Sequence, residues 1–275
     1  MTNVLQVEHL SKTFMRKSLF KKATVVKAVD DVSFDLVEGE VLVIAGESGS
    51  GKSTIAKMIL GAIEADTGTV KLDNSIISYD KESRRMIQKS CQMVHQDPYD
   101  SINPRMRIQD IVTESLQIHH IGDAQSRKRL AAEALQDVKM NPDDVMQKYP
   151  HMLSGGQRQR VVLARALTVK PRIIIADEPV SMLDVSIRAE MLELMRDLQQ
   201  KRSISFIYIT HDLATARHFG NRIIILYKGA IVEHGEISQT LDNPQHPYTQ
   251  ALISAISEPD PNNRLRQRQV MQWNG

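Results

Sequence analysis

Cysteine is almost absent from this chain, since Cys91 is the single cysteine among 275 residues. One thiol excludes an intrachain disulfide and argues against a cysteine-based zinc or iron–sulfur site. Long apolar runs are also absent: stretches such as Val41–Ala45 have the length of a buried strand, far below the ~18 residues that a membrane-spanning helix needs. The charge imbalance is small, because 35 Lys and Arg against 33 Asp and Glu leave +2. A protein that wraps nucleic acid usually carries a larger, clustered basic excess.

Short apolar segments alternate with amphipathic ones, and a chain with 41% hydrophobic and 25% charged residues can bury a sizeable core. The runs Val41–Ala45 and Ile173–Asp177 are typical of strands buried on both faces, whereas Val185–Gln200 has the spacing of an amphipathic helix packed on a sheet. Residues 97–152 predict helices without intervening strands, the clearest of them at Arg107–Ile118 and Ser126–Lys139. Further strands are predicted at Asn3–Leu10, Ser33–Leu36, Ser205–Thr210 and Arg222–Tyr227, and Lys12–Lys27 is interpreted as a loop or hairpin. We therefore expect an α/β fold with a helical subdomain inserted at 97–152.

The strongest motif lies between the strand Val41–Ala45 and the helix-forming run Thr54–Leu60. It reads Gly-Glu-Ser-Gly-Ser-Gly-Lys-Ser and matches the phosphate-binding loop pattern in full. Its glycines let backbone N–H groups approach a polyphosphate, Lys52 supplies charge for the β- and γ-phosphates, and the Ser53 hydroxyl can ligate Mg²⁺. A plain Gly/Ser turn is the alternative, but the strand before and the helix after favour nucleotide binding. The expected contacts are Gly46, Ser48, Gly49, Ser50, Gly51, Lys52, Ser53 and Thr54.

A second motif is the pair Asp177-Glu178 at the end of the apolar run Ile173–Asp177. A buried strand that ends in two acids suits metal-assisted phosphoryl transfer. Asp177 would hold Mg²⁺ and Glu178 would polarise the attacking water as general base. Without the phosphate loop, two solvated acids would be the preferred interpretation; with it, the catalytic one is favoured.

A third motif, Leu-Ser-Gly-Gly-Gln at 153–157, precedes a good helix. Ser154 is a natural N-terminal cap, but two consecutive glycines weaken a helix start. Free backbone N–H groups at a helix end make a second anion site. A chain that binds one triphosphate by itself does not need two such sites. A second site would have a function if two chains share the nucleotide.

In this order, the three motifs resemble those of the ATP-binding cassette (ABC) ATPases, and the resemblance covers nearly the whole chain. It implies a P-loop NTPase core, with a mixed β-sheet and flanking helices, an inserted helical subdomain and a small antiparallel β region. It also implies an ATPase that binds ATP and Mg²⁺ in a nucleotide-sandwich dimer. The implied domains are the first core part at 1–96, the helical subdomain at 97–152, the signature motif with the second core part at 153–242, and a C-terminal segment at 243–275.

The resemblance implies roles for further residues, each with a plainer alternative. Gln96 would sense Mg²⁺ and the attacking water, although a glutamine after a strand is commonly a turn residue. His211 would contact the γ-phosphate, where an isolated histidine is more often structural. Asp184 would link the two sites across the dimer, and Phe14 would stack on adenine unless it is a core side chain. Contacts to the γ-phosphate held by the partner subunit would come from Ser154, Gly156 and Gln157, with Gly155 in the same nucleotide site.

Two segments resemble one branch of this family. Residues 96–105 and 246–256 are similar to those of the oligopeptide, dipeptide and nickel importer ATPases. Some of these carry an iron–sulfur cluster on C-terminal cysteines, which we do not expect here because no cysteine follows Cys91. The resemblance implies an importer subunit, most readily for peptides, on the cytoplasmic face of the membrane. Its partners would be a second ATPase subunit, like or unlike, two permease subunits and, indirectly, a solute-binding protein; no nucleic acid partner is expected.

Two other functions remain as alternatives. The same cassette occurs in complexes that drive no import, such as the carbon–phosphorus lyase assembly, whose ATPase has a similar C-terminal segment. A chromosome- or DNA-repair cassette is disfavoured because the chain lacks a long coiled-coil heptad run. The basic segment 16–22 is interpreted as an exposed loop, with phosphate or lipid contact as the alternative.

Overall fold

The computed structural model describes residues 2–16 and 24–257. Within these ranges the strands are β1 (Asn3–Arg16), β2 (Thr24–Val37), β3 (Val41–Ala45), β4 (Thr67–Leu72), β5 (Ser75–Ile76), β6 (Cys91–Val94), β7 (Ile173–Asp177), β8 (Ser205–Thr210), β9 (Arg222–Tyr227) and β10 (Ala230–Glu236). The helices are α1 (Lys52–Ile59), α2 (Lys81–Ser90), α3 (Pro98–Ser101), α4 (Ile108–Ile118), α5 (Ala124–Asp137), α6 (Pro142–Val145), α7 (Gly155–Leu167), α8 (Val185–Arg202), α9 (Leu213–Phe219), α10 (Ile237–Asp242) and α11 (Pro247–Ser257).

The larger sheet is mixed and has the order β10-β9-β3-β8-β7-β6. Strands β6, β7, β8, β3 and β9 run parallel, and β10 is added antiparallel to β9. The four parallel strands predicted from apolar runs, β3, β7, β8 and β9, have the predicted bounds. The middle positions of these strands are mostly apolar because both faces of the sheet are covered, and the polar residues lie mainly at the strand ends.

Alternate residues of each central strand face two different cores. On β3, Val43 belongs to the core that α4, α5, α7 and α8 cover, whereas Leu42 and Ile44 belong to the core on the other face. On that other face, α1 and α2 pack between the larger sheet and a smaller one. The described part of the chain is thus built in layers around one central sheet.

The smaller sheet is antiparallel and has the order β2-β1-β4-β5. It confirms the expected small antiparallel β region, but its strands are longer than the predicted Asn3–Leu10 and Ser33–Leu36. Lys12–Lys27 was interpreted as a loop or hairpin, and its described residues continue both strands as a hairpin because Phe14 and Met15 pair with valines of β2. Most of the basic segment 16–22 lies outside the described residues. The strands β4 and β5 and the helices α2, α9 and α10 were missed by the sequence prediction.

Helices α3 to α6 follow one another between β6 and β7 without a strand in that stretch. The predicted helices Arg107–Ile118 and Ser126–Lys139 are present as α4 and α5. Helix α7, which follows the glycine pair, packs on both of them and also on α8. Among the described residues, we find no helix with the length and apolar character that crossing a membrane requires.

Candidate nucleotide-binding and hydrolysis site

The candidate residues meet at one edge of the larger sheet. Gly46 follows β3, His211 follows β8, Asp177 ends β7, and Gln96 lies two residues beyond β6. These four strands are parallel neighbours, so their carboxyl ends lie side by side. Ligands of open α/β sheets bind in the crevice outside these carboxyl ends.

The loop at 46–53 passes close to the backbone of two other segments. Gly46 has φ +151°, and a Cβ there would lie 2.2 Å from the carbonyl oxygen of Leu226 at the end of β9. A Cβ on Gly51 would lie 2.3 Å from the carbonyl oxygen of Ala28 in β2. Any side chain at Gly46 would therefore displace the loop. Glycine is required there by the close packing against Leu226, in addition to letting the backbone approach a ligand.

Lys52, the first residue of α1, is folded back over the loop. Its ammonium donates hydrogen bonds to the carbonyl oxygens of Gly46 at 2.8 Å and of Glu47 at 2.7 Å. Lys52 is only 6% exposed. Burial lowers the pKa of Lys52, and the carboxylates of Glu178 and Asp177 oppose that shift. A buried ammonium surrounded by carbonyls at the start of a helix is suited to receive an anion.

Ser53 and Asp177 meet across the gap between α1 and β7. The Ser53 hydroxyl donates a hydrogen bond of 3.0 Å to Asp177 Oδ2. Burial raises the pKa of Asp177, against the effect of this hydrogen bond. A hydroxyl and a partly buried carboxylate, both hard oxygen donors, fit Mg²⁺, which takes one or two protein ligands together with substrate phosphates and water.

Glu178 and His211 form the second polar pair. His211 Nδ1 lies 2.7 Å from Glu178 Oε1. The Glu178 backbone has φ +49°, a left-handed conformation that is uncommon outside glycine, and its N–H donates to the Ile209 carbonyl at 2.9 Å. The Glu178 side chain is 18% exposed and that of His211 is 59% exposed. The carboxylate is therefore held by its backbone and by a neighbouring imidazole while a path to solvent remains.

The glycine pair at 155–156 starts α7 with a complete capping box. The Ser154 hydroxyl accepts the Gln157 N–H at 3.3 Å, and the Gln157 side chain accepts the Ser154 N–H at 3.0 Å. A Cβ on Gly156 would lie 2.5 Å from Ile187 Cγ2 of α8, so packing also explains this glycine. A cavity of about 840 Å³ opens here, with Ser154, Gly156, Gln157, Lys148, Arg160 and Glu190 in its wall. No hydrogen bond joins residues 154–157 to the loop at 46–53 within the described ranges.

The remaining candidates lie around this centre. Asp184 is exposed at the start of α8. Its neighbour Leu183 lies near the glycine pair, since a Cβ on Gly155 would be 4.0 Å from Leu183 Cδ2. Gln96 is exposed in the turn after β6. Phe14 is 40% exposed on β1, with the Lys12 ammonium 5.8 Å from its ring centroid, so it is not a core side chain.

Three residues that sequence reasoning did not single out connect α7 to the turn that carries Gln96. Gln159 donates to the His95 carbonyl at 3.4 Å, Arg158 lies over the Tyr99 ring at 4.2 Å, and Arg165 donates to the Ser101 carbonyl at 2.7 Å. Their polar side chains are spaced along one helix, but the sequence contained no signal for their partners. They join two elements whose candidate residues are 58 positions apart in the chain, from Gln96 to Ser154.

Fold and loop together define a P-loop nucleotide-hydrolysing protein. The family model described as ABC transporter matches residues 29–181, and the model described as oligopeptide/dipeptide transporter, C-terminal region, matches residues 232–273. The chain belongs to the ABC transporter family, and it is an ATP-binding and ATP-hydrolysing subunit.

Curated relatives cover nearly the whole chain. A protein of Brucella ovis, named for peptide import and ATP binding, is 42% identical over 98% of this chain and 83% of its own length. The oligopeptide transport ATP-binding proteins OppF of Bacillus subtilis and of Streptococcus mutans are each 42% identical, over 96% and 94% of this chain and 87% and 83% of their own lengths. These names do not favour the carbon–phosphorus lyase alternative.

Solved structures agree with the architecture. A dimeric ATP-binding cassette in a post-hydrolysis state with ADP and Pi is 29% identical, with TM-score 0.74 over 85% of this chain and 98% of that one. The cbiO1 subunit of the Clostridium perfringens cbiONQ ABC transporter is 23% identical, with TM-score 0.77 over 88% and 92% of the two chains, and supports the fold alone.

Proposed function

We propose that this chain carries one half of each of two composite ATP sites and drives peptide uptake. The observation that carries the site is the pairing of Ser53 with Asp177 and of Glu178 with His211 at one sheet edge, beside the Lys52 ammonium. Lys52 would leave its two loop carbonyls for the β- and γ-phosphates of ATP. Thr54 and the loop residues Ser48 to Gly51 would supply further hydroxyl and N–H donors.

Glu178 would act as the general base. Its carboxylate, held by His211 Nδ1, would take a proton from the water that attacks the γ-phosphate in line. His211 would then orient the base and contact the γ-phosphate, and Gln96 would help to position the water. Mg²⁺, held by Ser53, Asp177 and Gln96, would supply charge neutralisation on the phosphate oxygens.

Residues 154–157 would complete the site of a second cassette, like or unlike. In the capping box the Ser154 Oγ is an acceptor, so its proton remains available for a γ-phosphate oxygen. The first N–H groups of α7 have no intrahelical partner and are directed out of the N-terminus of the helix, where Ser154 lies. The wide cavity beside them and the solvent exposure of Asp184 are consistent with an interface that another chain completes. Phe14, exposed on the hairpin whose β2 strand abuts Gly51, would stack on adenine.

The proposed division of the chain into domains follows from the same function. The segments 1–96 and 153–242 would form the ATPase core, 97–152 the helical subdomain, and 243–275 the C-terminal segment. Peptide uptake is inferred from the names of the relatives. In this proposal the chain sits on the cytoplasmic face of the membrane, bound to two permease subunits that a solute-binding protein feeds.

Peptide uptake by cells that lack the gene tests the proposal. Restoring the wild-type chain should restore uptake of a labelled oligopeptide and should recover permease subunits with the chain from detergent-solubilised membranes. The Glu178→Gln variant should recover the same subunits without uptake. Normal peptide uptake in the deletion strain, or isolation of the chain with phosphonate-cleaving subunits in place of permeases, would contradict the importer assignment.

A further inference from the structure

Helix α11 contacts the phosphate loop through the side chain of Tyr248. The Tyr248 hydroxyl accepts a hydrogen bond of 3.0 Å from the backbone N–H of Glu47, which lies 201 positions earlier in the chain. The carbonyl of the same Glu47 accepts the Lys52 ammonium at 2.7 Å. Both polar groups of the Glu47 backbone are therefore engaged, one by the loop lysine and the other by α11.

The Tyr248 ring is held in place by β9. Its centroid lies 4.3 Å from that of Tyr227, with the two planes tilted by 34°. Tyr227 directly follows Leu226, whose carbonyl oxygen is the atom that Gly46 approaches. The phenol that contacts Glu47 is thus packed on the same strand end that supports the beginning of the loop.

The two residues just before α11 are in turn fixed to β10. The Glu233 carboxylate accepts the N–H groups of Gln245 at 2.8 Å and His246 at 3.0 Å. His246 Nδ1 accepts the Tyr248 N–H at 3.1 Å. Leu252, further along the helix, packs on the core below. Tyr248 therefore comes to the loop from an anchored turn, so the hydroxyl needs no further ordering to hold Glu47.

We propose that Tyr248 is a positioning residue for ATP binding, which braces the phosphate loop by holding the Glu47 N–H. A loop whose N–H groups converge on phosphates must give up backbone entropy on binding, and each contact that already fixes it reduces that loss. The hydroxyl contacts loop backbone and no reacting atom, so the brace acts on nucleotide affinity and leaves the hydrolysis step unchanged. Burial raises the pKa of Tyr248, so the neutral phenol is the form present at physiological pH.

This role gives the C-terminal region a function within the ATPase itself. The region at 232–273 that matches the oligopeptide/dipeptide transporter model contains Glu233, His246, Tyr248 and Leu252 together. A change in how this segment is seated would then alter ATP affinity without altering any loop residue. The inference rests on the proposed function of residues 46–53 as the phosphate loop. The experiment below distinguishes a failure of the Tyr248 role from a failure of the loop assignment.

The test uses the full-length chain and the variant Tyr248→Phe, which keeps the ring and removes the acceptor. We expect the Kd for ATP by calorimetry and the KM for hydrolysis to rise about three- to tenfold, the range of one neutral hydrogen bond, with kcat within about twofold. The Glu47 amide should exchange its hydrogen faster. Tyr79→Phe is the matched control, because the Tyr79 hydroxyl accepts the Ala65 N–H at 3.1 Å in the same way. It should leave the Kd, KM and Glu47 exchange unchanged.

Two results would overturn the brace. Unchanged ATP affinity and unchanged hydrogen exchange of the Glu47 amide in Tyr248→Phe would show that the hydroxyl does not order the phosphate loop. An equal loss of affinity in Tyr79→Phe would show that the effect is general destabilisation. Lys52→Ala, measured beside them, tests the loop: if it binds ATP normally, the loop assignment fails, whereas loss of ATP binding there with a normal Tyr248→Phe removes only the brace.

Discussion

His211 Nδ1 and Glu178 Oε1 lie 2.7 Å apart, although 33 positions separate the two residues in the chain. They meet because β7 and β8 are parallel neighbours, and each residue directly follows the end of its strand. The left-handed backbone at Glu178, φ +49°, costs on the order of 1 kcal/mol and is held by the N–H contact with the Ile209 carbonyl. The Glu178 carboxylate lies close enough to the loop at 46–53 to oppose the lowering of the Lys52 pKa.

Glu178→Gln should stop hydrolysis while preserving ATP binding. Glutamine keeps the size of the side chain and a hydrogen bond to His211, but it cannot take a proton from water, so kcat should fall by about 100-fold or more. ATP should then accumulate in a closed dimer that elutes earlier in size-exclusion chromatography. Glu193→Gln, an exposed change on α8, is the control and should hydrolyse normally. A strictly monomeric Glu178→Gln protein in saturating ATP would count against the shared site.

Lys52→Ala should weaken nucleotide binding and abolish turnover without unfolding the protein. The variant loses a charge-assisted donor to phosphate, which corresponds to a loss of affinity of about 10- to 100-fold, and turnover should vanish. Burial of the charged ammonium costs free energy, which offsets the hydrogen bonds that Lys52 donates to the loop carbonyls. Its removal should therefore leave the melting temperature of the nucleotide-free protein nearly unchanged. The measurement is the rise of melting temperature with MgATP, which should be much smaller in this variant than in the wild type. Lys57→Ala, an exposed lysine on the same helix, should keep that rise; a full MgATP response in Lys52→Ala would remove the loop assignment.

Asp177→Asn should stabilise the nucleotide-free protein and weaken its response to Mg²⁺. Burial raises the pKa of Asp177 above its ordinary 3.8, so the ionised form is penalised in the folded state, and stability is lost as pH rises from 3.8 through the raised value. Asparagine carries no such penalty. At neutral pH its melting temperature should be higher by about 1–4 °C, and the difference should vanish in acid.

The Mg²⁺ arm of this prediction uses the same two proteins. The extra stabilisation that Mg²⁺ gives to the ATP complex, measured against ATP with EDTA, should be large in the wild type and small in Asp177→Asn. An undiminished Mg²⁺ effect in the variant would show that Asp177 does not contribute to the metal site.

Gly156→Ala should destabilise the fold, whereas Gly155→Ala should not. A Cβ at Gly156 would lie 2.5 Å from Ile187 Cγ2, but one at Gly155 would meet nothing closer than Leu183 at 4.0 Å. Overpacking of this kind costs about 1–3 kcal/mol, so the melting temperature should fall by several degrees in the first variant only. Equal melting temperatures in the two variants would mean that α8 moves freely away from α7.

Much of the site was predictable because its signals are local. The loop at 46–53 is one continuous segment between a strand and a helix, and its function follows from glycine, lysine and serine at fixed spacing. The strands β3, β7, β8 and β9 were also predictable, since burial on both faces leaves a mostly apolar run. Elements with a weak hydrophobic pattern were not predicted. Strand β4 has only two buried positions, and helix α2 has one buried residue, Ile87.

By itself, the sequence determined the fold class, the nucleotide-binding loop and the acidic strand end, because each depends on neighbours within a few residues. Tertiary structure alone decided the pairing of Ser53 with Asp177, the packing of Gly156 on Ile187 and the contact of Tyr248 with Glu47. Those pairs lie 31 to 201 positions apart, and whether two such side chains meet is set by strand order and helix packing, which no local pattern encodes.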